Sequence, residues 1–192
     1  MIKKSTGIIF ALNLLAYAFL AYQSSGFEIS KEIVQTFGLY KKTGIFRESI
    51  FANWWQFFTQ IFVHFNLEHL LVNMVFLILI SHLADIDDKE LLSAYLLSGF
   101  FASFIVFLFY PFESIIAGSS TPIFGLLGFT FYRTIRAAEK KADEKMQEKR
   151  LLYLIAVLLL FILSSEGSYF LHLIGFLTGV LVSKGFFESK QV

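Results

Sequence analysis

The stretch Ala117–Phe129, AGSSTPIFGLLGF, decides how this chain is read. It opens with two adjacent serines and a threonine, then continues as a glycine-punctuated apolar segment. Hydroxyl side chains often cap helices, so a helix starting near Ser119 is the plain reading. Whether the hydroxyls do more than cap depends on what the rest of the chain sets around them.

Those surroundings are apolar. Of the 192 residues, 56% are hydrophobic, 25 are Phe, and only 16% are charged. A soluble domain carries about 25% charged residues. Windows of about 20 apolar residues, long enough to cross a bilayer core, recur along the chain. Without cysteine there is neither a disulfide framework nor a thiolate metal site, and no metal or cofactor is expected. A net charge of +1 offers no electrostatic ground for nucleic-acid binding. The expected partner is the lipid bilayer, and the expected class is an all-α integral membrane protein.

Lys3 and Lys4 followed by GIIFALNLLAYAFLAY have the basic and apolar regions of a secretory signal peptide. No small-x-small cleavage site follows and further spans come later, so this segment reads as an uncleaved first helix. Six spans are expected, at about 7–22, 67–83, 91–110, 119–133, 151–163 and 169–187, as a single domain over 1–192. Between the fourth and fifth lies RTIRAAEKKADEKMQEKR, Arg133 to Arg150, with seven Lys/Arg. Lys and Arg accumulate in cytoplasmic loops, so this segment reads as a solvated cytoplasmic helical hairpin. Both termini then lie in the cytoplasm, in keeping with Lys3, Lys4, Lys184 and Lys190; Lys31, Lys41, Lys42 and Arg47 in the first loop run against it. The expected location is multi-pass in the cell membrane, a prokaryotic plasma membrane.

This topology turns the starts of the second, fourth and sixth spans to the outer side, and each carries a polar residue of catalytic type. His69 and Asn73 are four apart and share a helix face. Polar residues inside spans face a bundle interior or a cavity, where they also serve as interhelical packing contacts. His64 falls off that face and reads as a loop or interface contact, and His82 as a surface histidine. His172 opens HLIGFLTG, with Gly175 and Gly179 on its own face; small residues at that spacing let a second helix approach closely. Gly125 and Gly128 offer a matching surface near Ser120 and Phe124. Docking of the two glycine faces would bring a hydroxyl and an imidazole together. A serine hydroxyl needs such a base to act as a nucleophile, and the oxyanion it generates needs donors. Asn73, His69 and a backbone N–H at a helix start are the available kinds. No carboxylate lies near, so any nucleophile here belongs to a dyad.

HFNLEHLLVNM (His64, His69, Asn73), GSSTPIFGLLG (Gly118–Gly128) and HLIGFLTG (His172–Gly179) together resemble the rhomboid family, in the family's order and at the starts of spans two, four and six. The resemblance covers about Gly7 to Phe187. It implies a six-transmembrane-helix rhomboid-like bundle and an intramembrane serine endopeptidase that cleaves transmembrane protein substrates near the outer membrane face. It also implies Ser120 as nucleophile, His172 as general base, and His69 and Asn73 as oxyanion-stabilising side chains. Phe124 falls where the family has an aromatic packed on the base, and Gly118 and Gly175 fall at family glycines, with Gly179 supporting the same helix face. NWWQFFTQ corresponds to a first loop lying partly in the membrane interface. Two positions depart from the pattern. Thr121 replaces a glycine, and its β-branched side chain is expected to narrow the site or shift the Ser120 backbone. Gln56 replaces an arginine after Trp55, removing a structural cation.

Two other classes compete. An inactive rhomboid-like protein would bind transmembrane clients without cutting them, but this chain keeps both the serine and the histidine. A small transporter would line polar residues through the membrane depth, whereas these cluster toward one side.

Overall fold

The computed structural model describes residues 3–41, 53–109, 114–139, 144–164 and 169–189. Helix α1 spans Lys4–Gln23 and α2 spans Lys31–Phe37. Strand β1 (Leu39–Lys41), the short helix α3 (Gln56–Thr59) and a 3-10 turn (Gln60–Phe62) follow. Then come α4 (Leu67–Leu83), α5 (Asp88–Phe109), strand β2 (Ser114–Ile116), α6 (Ser120–Glu139), α7 (Glu144–Ser164) and α8 (Tyr169–Ser189).

Local chemistry accounts for several boundaries. Asn66 caps α4, its side chain accepting from the His69 N–H at 2.8 Å. The acidic run that closes the second apolar segment also starts the next helix: Asp87 Oδ1 accepts from Glu90 N (2.8 Å), and Glu90 Oε2 accepts from Asp87 N (3.2 Å). That reciprocal pair is a capping box, and it begins α5 at Asp88, ahead of the expected Leu91.

Helix α6 is the centre of the bundle. Residues 121–130 are buried without a break, with α5 and α8 packed on one another and on α6, and α4 and α7 against its other sides. Helix α1 packs on α4 and α5. The outward faces are apolar: Leu15, Leu152 and Leu181 are each about two-thirds exposed (68%, 67% and 65%), a surface that water would not tolerate over so many residues. By length and composition, Lys4–Gln23, Asp88–Phe109 and Tyr169–Phe186 suffice to cross a membrane, with Leu67–Leu83 and Arg150–Leu159 as shorter apolar helices. The helix from Ser120 is not among them, and its apolar turns are buried within the bundle.

The fold is mostly, not entirely, helical. β1 and β2 pair antiparallel, Leu39 opposite Ile116 and Lys41 opposite Ser114, tying the first loop to the segment that leads into α6. Gln56, in place of the arginine of the family pattern, is buried (3% exposed). Its amide nitrogen donates to the carbonyls of Gln35 (2.8 Å) and Thr36 (3.0 Å), and its oxygen accepts from Tyr40 N (3.1 Å). A neutral amide, with both a donor and an acceptor, thus joins α2, β1 and α3. Phe57 packs the same loop against Phe100, Phe104 and Phe107 of α5.

The bundle's two ends differ. At one, Lys3 Nζ donates to the carbonyls of Ser81 (2.6 Å) and Ala84 (2.7 Å), closing the C-terminus of α4. The Ser5 backbone and hydroxyl bond Asp88, Arg133 pairs with buried Glu90 at 2.9 Å, and Arg150 with Asp85 at 3.2 Å. His82, exposed, lies at this end. The other end holds Ser119, Ser120, His64, His69 and His172.

Candidate active site

The site is built around one turn. Gly118 has φ +117°, a conformation that side-chain-bearing residues rarely adopt, and a β-carbon there would lie 2.7 Å from His69 Cε1. Glycine is therefore required both for the turn and for the approach of the His69 ring. The Gly118 N–H donates to Gln60 O at 2.9 Å, and Ser119 O accepts from Ile123 N at 3.0 Å, so α6 begins immediately after the turn.

Helix α8 meets α6 through its glycines. A β-carbon on Gly175 would lie 2.6 Å from the Thr121 carbonyl oxygen, and one on Gly179 would lie 1.8 Å from that of Gly125. On the α6 side, a β-carbon on Gly128 would lie 2.1 Å from the carbonyl oxygen of Phe176, and one on Gly125 would lie 1.9 Å from Ser98 Oγ of α5. Small residues on both faces bring the two backbones to this separation, and His172 Nε2 then stands 3.0 Å from Ser120 Oγ. Phe124 stacks on the imidazole, with centroids 4.3 Å apart and planes at 15°, which holds the ring plane against rotation. Ser120 is partly exposed while His172 is buried.

His69 lies against Gly118 and stacks on Phe65 (5.6 Å, 15°). Asn73, one turn deeper and 1% exposed, donates its amide nitrogen to His69 O at 2.9 Å, leaving its amide oxygen unpartnered among the described residues. One amide hydrogen of Asn73 is thus used within α4, and the second is left for another acceptor.

Thr121 turns its side chain toward α8. Its methyl is 3.3 Å from where a Gly175 β-carbon would be, so the side chain fills the space vacated by that glycine on α8. Pro122, in the first turn where its missing N–H is harmless, packs on Gly99 of α5, whose β-carbon would meet it at 3.1 Å.

His64 is a loop residue making an interface contact, as its spacing implied. It is fully buried, and its Nε2 lies 3.1 Å from Ser119 Oγ. Its ring sits edge-on to His69 at 5.1 Å. Burial, with the His69 ring next in effect, pushes the His64 pKa down to about 3, so it is neutral at physiological pH. Helical periodicity could not find this residue, since it lies before α4. The available signal was the HFNLEHLLVNM resemblance, which includes His64.

Among the described residues, no group of three or more His, Cys, Asp or Glu is arranged to hold a metal ion. No curated protein sequence matches the chain at a significant level. The family model of the Rhomboid domain, however, matches residues 52–189, from the first-loop aromatics through the end of α8. With that match covering most of its length, the chain belongs to the rhomboid family, which includes serine intramembrane proteases.

Proposed function

We propose that this protein is an intramembrane serine endopeptidase that cleaves transmembrane protein substrates near the outer face of the membrane. In this reading the whole chain, 1–192, is one membrane domain of six spans (α1, α4, α5, α6, α7 and α8) with both termini cytoplasmic, in a prokaryotic plasma membrane. The observation that carries it is the 3.0 Å contact of Ser120 Oγ with His172 Nε2 across the α6–α8 interface.

For Nε2 to accept from the hydroxyl, the imidazole proton sits on Nδ1. As Ser120 Oγ attacks the scissile carbonyl, Nε2 takes the hydroxyl proton. The new oxyanion has donors of three kinds nearby: the N–H of Ser120 in the first turn of α6, where helix N–H groups lack intrahelical partners, the His69 imidazole, and the remaining hydrogen of the Asn73 amide. Collapse of the tetrahedral intermediate passes the proton from His172 to the leaving amine and leaves an acyl-serine. A water deprotonated by His172 then attacks the ester, and Ser120 recovers its proton as the new carboxyl terminus departs. A substrate helix has its peptide bonds closed by internal hydrogen bonds, so helix-destabilising residues near the cleaved bond favour its presentation.

The test is cleavage of a transmembrane substrate by purified protein in proteoliposomes, beside the Ser120→Ala and His172→Ala variants. The reading expects cleavage that both substitutions abolish, and covalent capture of Ser120 by a serine-directed phosphonate. Equal cleavage by wild type and Ser120→Ala, or capture at Ser119, overturns it.

A further inference from the structure

Two histidine–serine pairs meet at the same turn, and the chemistry above uses only one. His64, on the loop before α4, is bonded at both ring nitrogens. Nδ1 lies 3.3 Å from Phe62 O, while Nε2 lies 3.1 Å from Ser119 Oγ and 3.4 Å from Ser119 N. A carbonyl only accepts and a peptide N–H only donates. The tautomer follows: Nδ1 carries the proton and donates to Phe62, and Nε2 accepts from Ser119.

His64 and Ser119 are both at 0% exposure, so this pair is closed to substrate and does not serve as a second nucleophile. What it grips is the residue covalently joined to Ser120. The same turn is held through Gly118 N–H on Gln60 O. The peptide before the proposed nucleophile is thus fastened from the first loop.

We infer that His64 is a positioning residue acting through Ser119: by accepting from the Ser119 N–H and hydroxyl it locks the Gly118–Ser119 turn, and with it the direction of Ser120 Oγ toward His172 and of the N–H at the start of α6. Without that acceptor, the buried Ser119 donors have to find another partner, and the turn relaxes away from the geometry α8 requires. The inference rests on Ser120 being the nucleophile.

The test compares His64→Leu, which removes the acceptor, with His64→Gln, which returns a carbonyl oxygen near the Nε2 position, and with Ser119→Ala. Each is assayed by phosphonate labelling of Ser120, by kcat and KM on a transmembrane substrate, and by thermal unfolding. Labelling and kcat are expected to fall about tenfold in His64→Leu, as for a small misplacement of a reacting group, with KM changing less than about twofold. His64→Gln recovers most of the loss, and Ser119→Ala falls between. Wild-type labelling and kcat in folded His64→Leu, or His64→Gln as slow as His64→Leu, overturns the inference. So does a loss that appears in KM alone. Should His64→Leu fail to fold, a Ser119→Ala variant with undiminished labelling and kcat overturns it as well. If wild-type protein does not label at Ser120, the underlying reading fails along with it, whereas labelling of wild type with no effect of His64 substitution sinks this inference alone.

Discussion

Gly179 of α8 lies so close to Gly125 of α6 that a β-carbon on it would stand 1.8 Å from the Gly125 carbonyl oxygen. This contact, two turns along α8 from His172, sets the interhelix separation on which the 3.0 Å Ser120–His172 contact depends. Gly179→Ala forces α6 and α8 apart, because the obstacle is backbone that cannot rotate away. Proteolysis should drop about a hundredfold, as for an ångström-scale misplacement of reacting groups, and the unfolding temperature should fall. Gly185→Ala, where nothing lies within 4 Å, should leave both unchanged. Assays of cleavage and thermal unfolding on the two variants check this.

Phe124 fixes the plane of the His172 ring by stacking at 4.3 Å. Phe124→Leu keeps an apolar side chain in the core but loses the flat face. It should lower kcat about tenfold, with KM nearly unchanged, since only alignment at the reacting atoms is lost. Steady-state kinetics on one transmembrane substrate decides it.

Thr121 packs its methyl into the space over Gly175. Thr121→Gly, which restores the family's residue, should therefore not raise activity. It opens a void and adds backbone freedom within a buried helix, together destabilising by about 1–2 kcal/mol. Thr121→Val keeps the shape and should retain both activity and stability. Unfolding curves and kcat/KM for both variants supply the measurement.

His64 supplies a pH dependence whose sign is definite. In the unfolded chain a histidine protonates near pH 6.5, whereas in the folded protein burial delays this to about pH 3. Between those values the unfolded state binds the extra proton, so the contribution is fully present above pH 6.5 and declines as pH falls toward 3. The neighbours that face the ring are His69, at 5.1 Å, and the Ser119 hydroxyl. Unfolding temperatures of wild type and His64→Gln should diverge less at pH 5 than at pH 7, because only wild type loses this stability. Parallel curves across that range would count against a buried, neutral His64.

Much of this protein is legible in the chain. Apolar segments of bilayer length, the helix-spaced glycines of Gly175 and Gly179, and the hydroxyl cluster ahead of α6 are local patterns, because helical periodicity and backbone capping act over only a few residues. They were enough to point to helices with glycine faces and to the rhomboid resemblance. Tertiary structure decided what lies between segments distant in sequence. It paired β1 with β2, gave Gln56 three backbone partners in place of a cation's role, turned Thr121 onto Gly175, and closed His64 upon Ser119, 55 positions away. None of these has a periodic signature, since a buried polar group takes whichever partner the packing brings to it. Propensity and spacing set which faces each helix offers, but only the packing of α4, α5 and α8 around α6 determined which polar atoms meet.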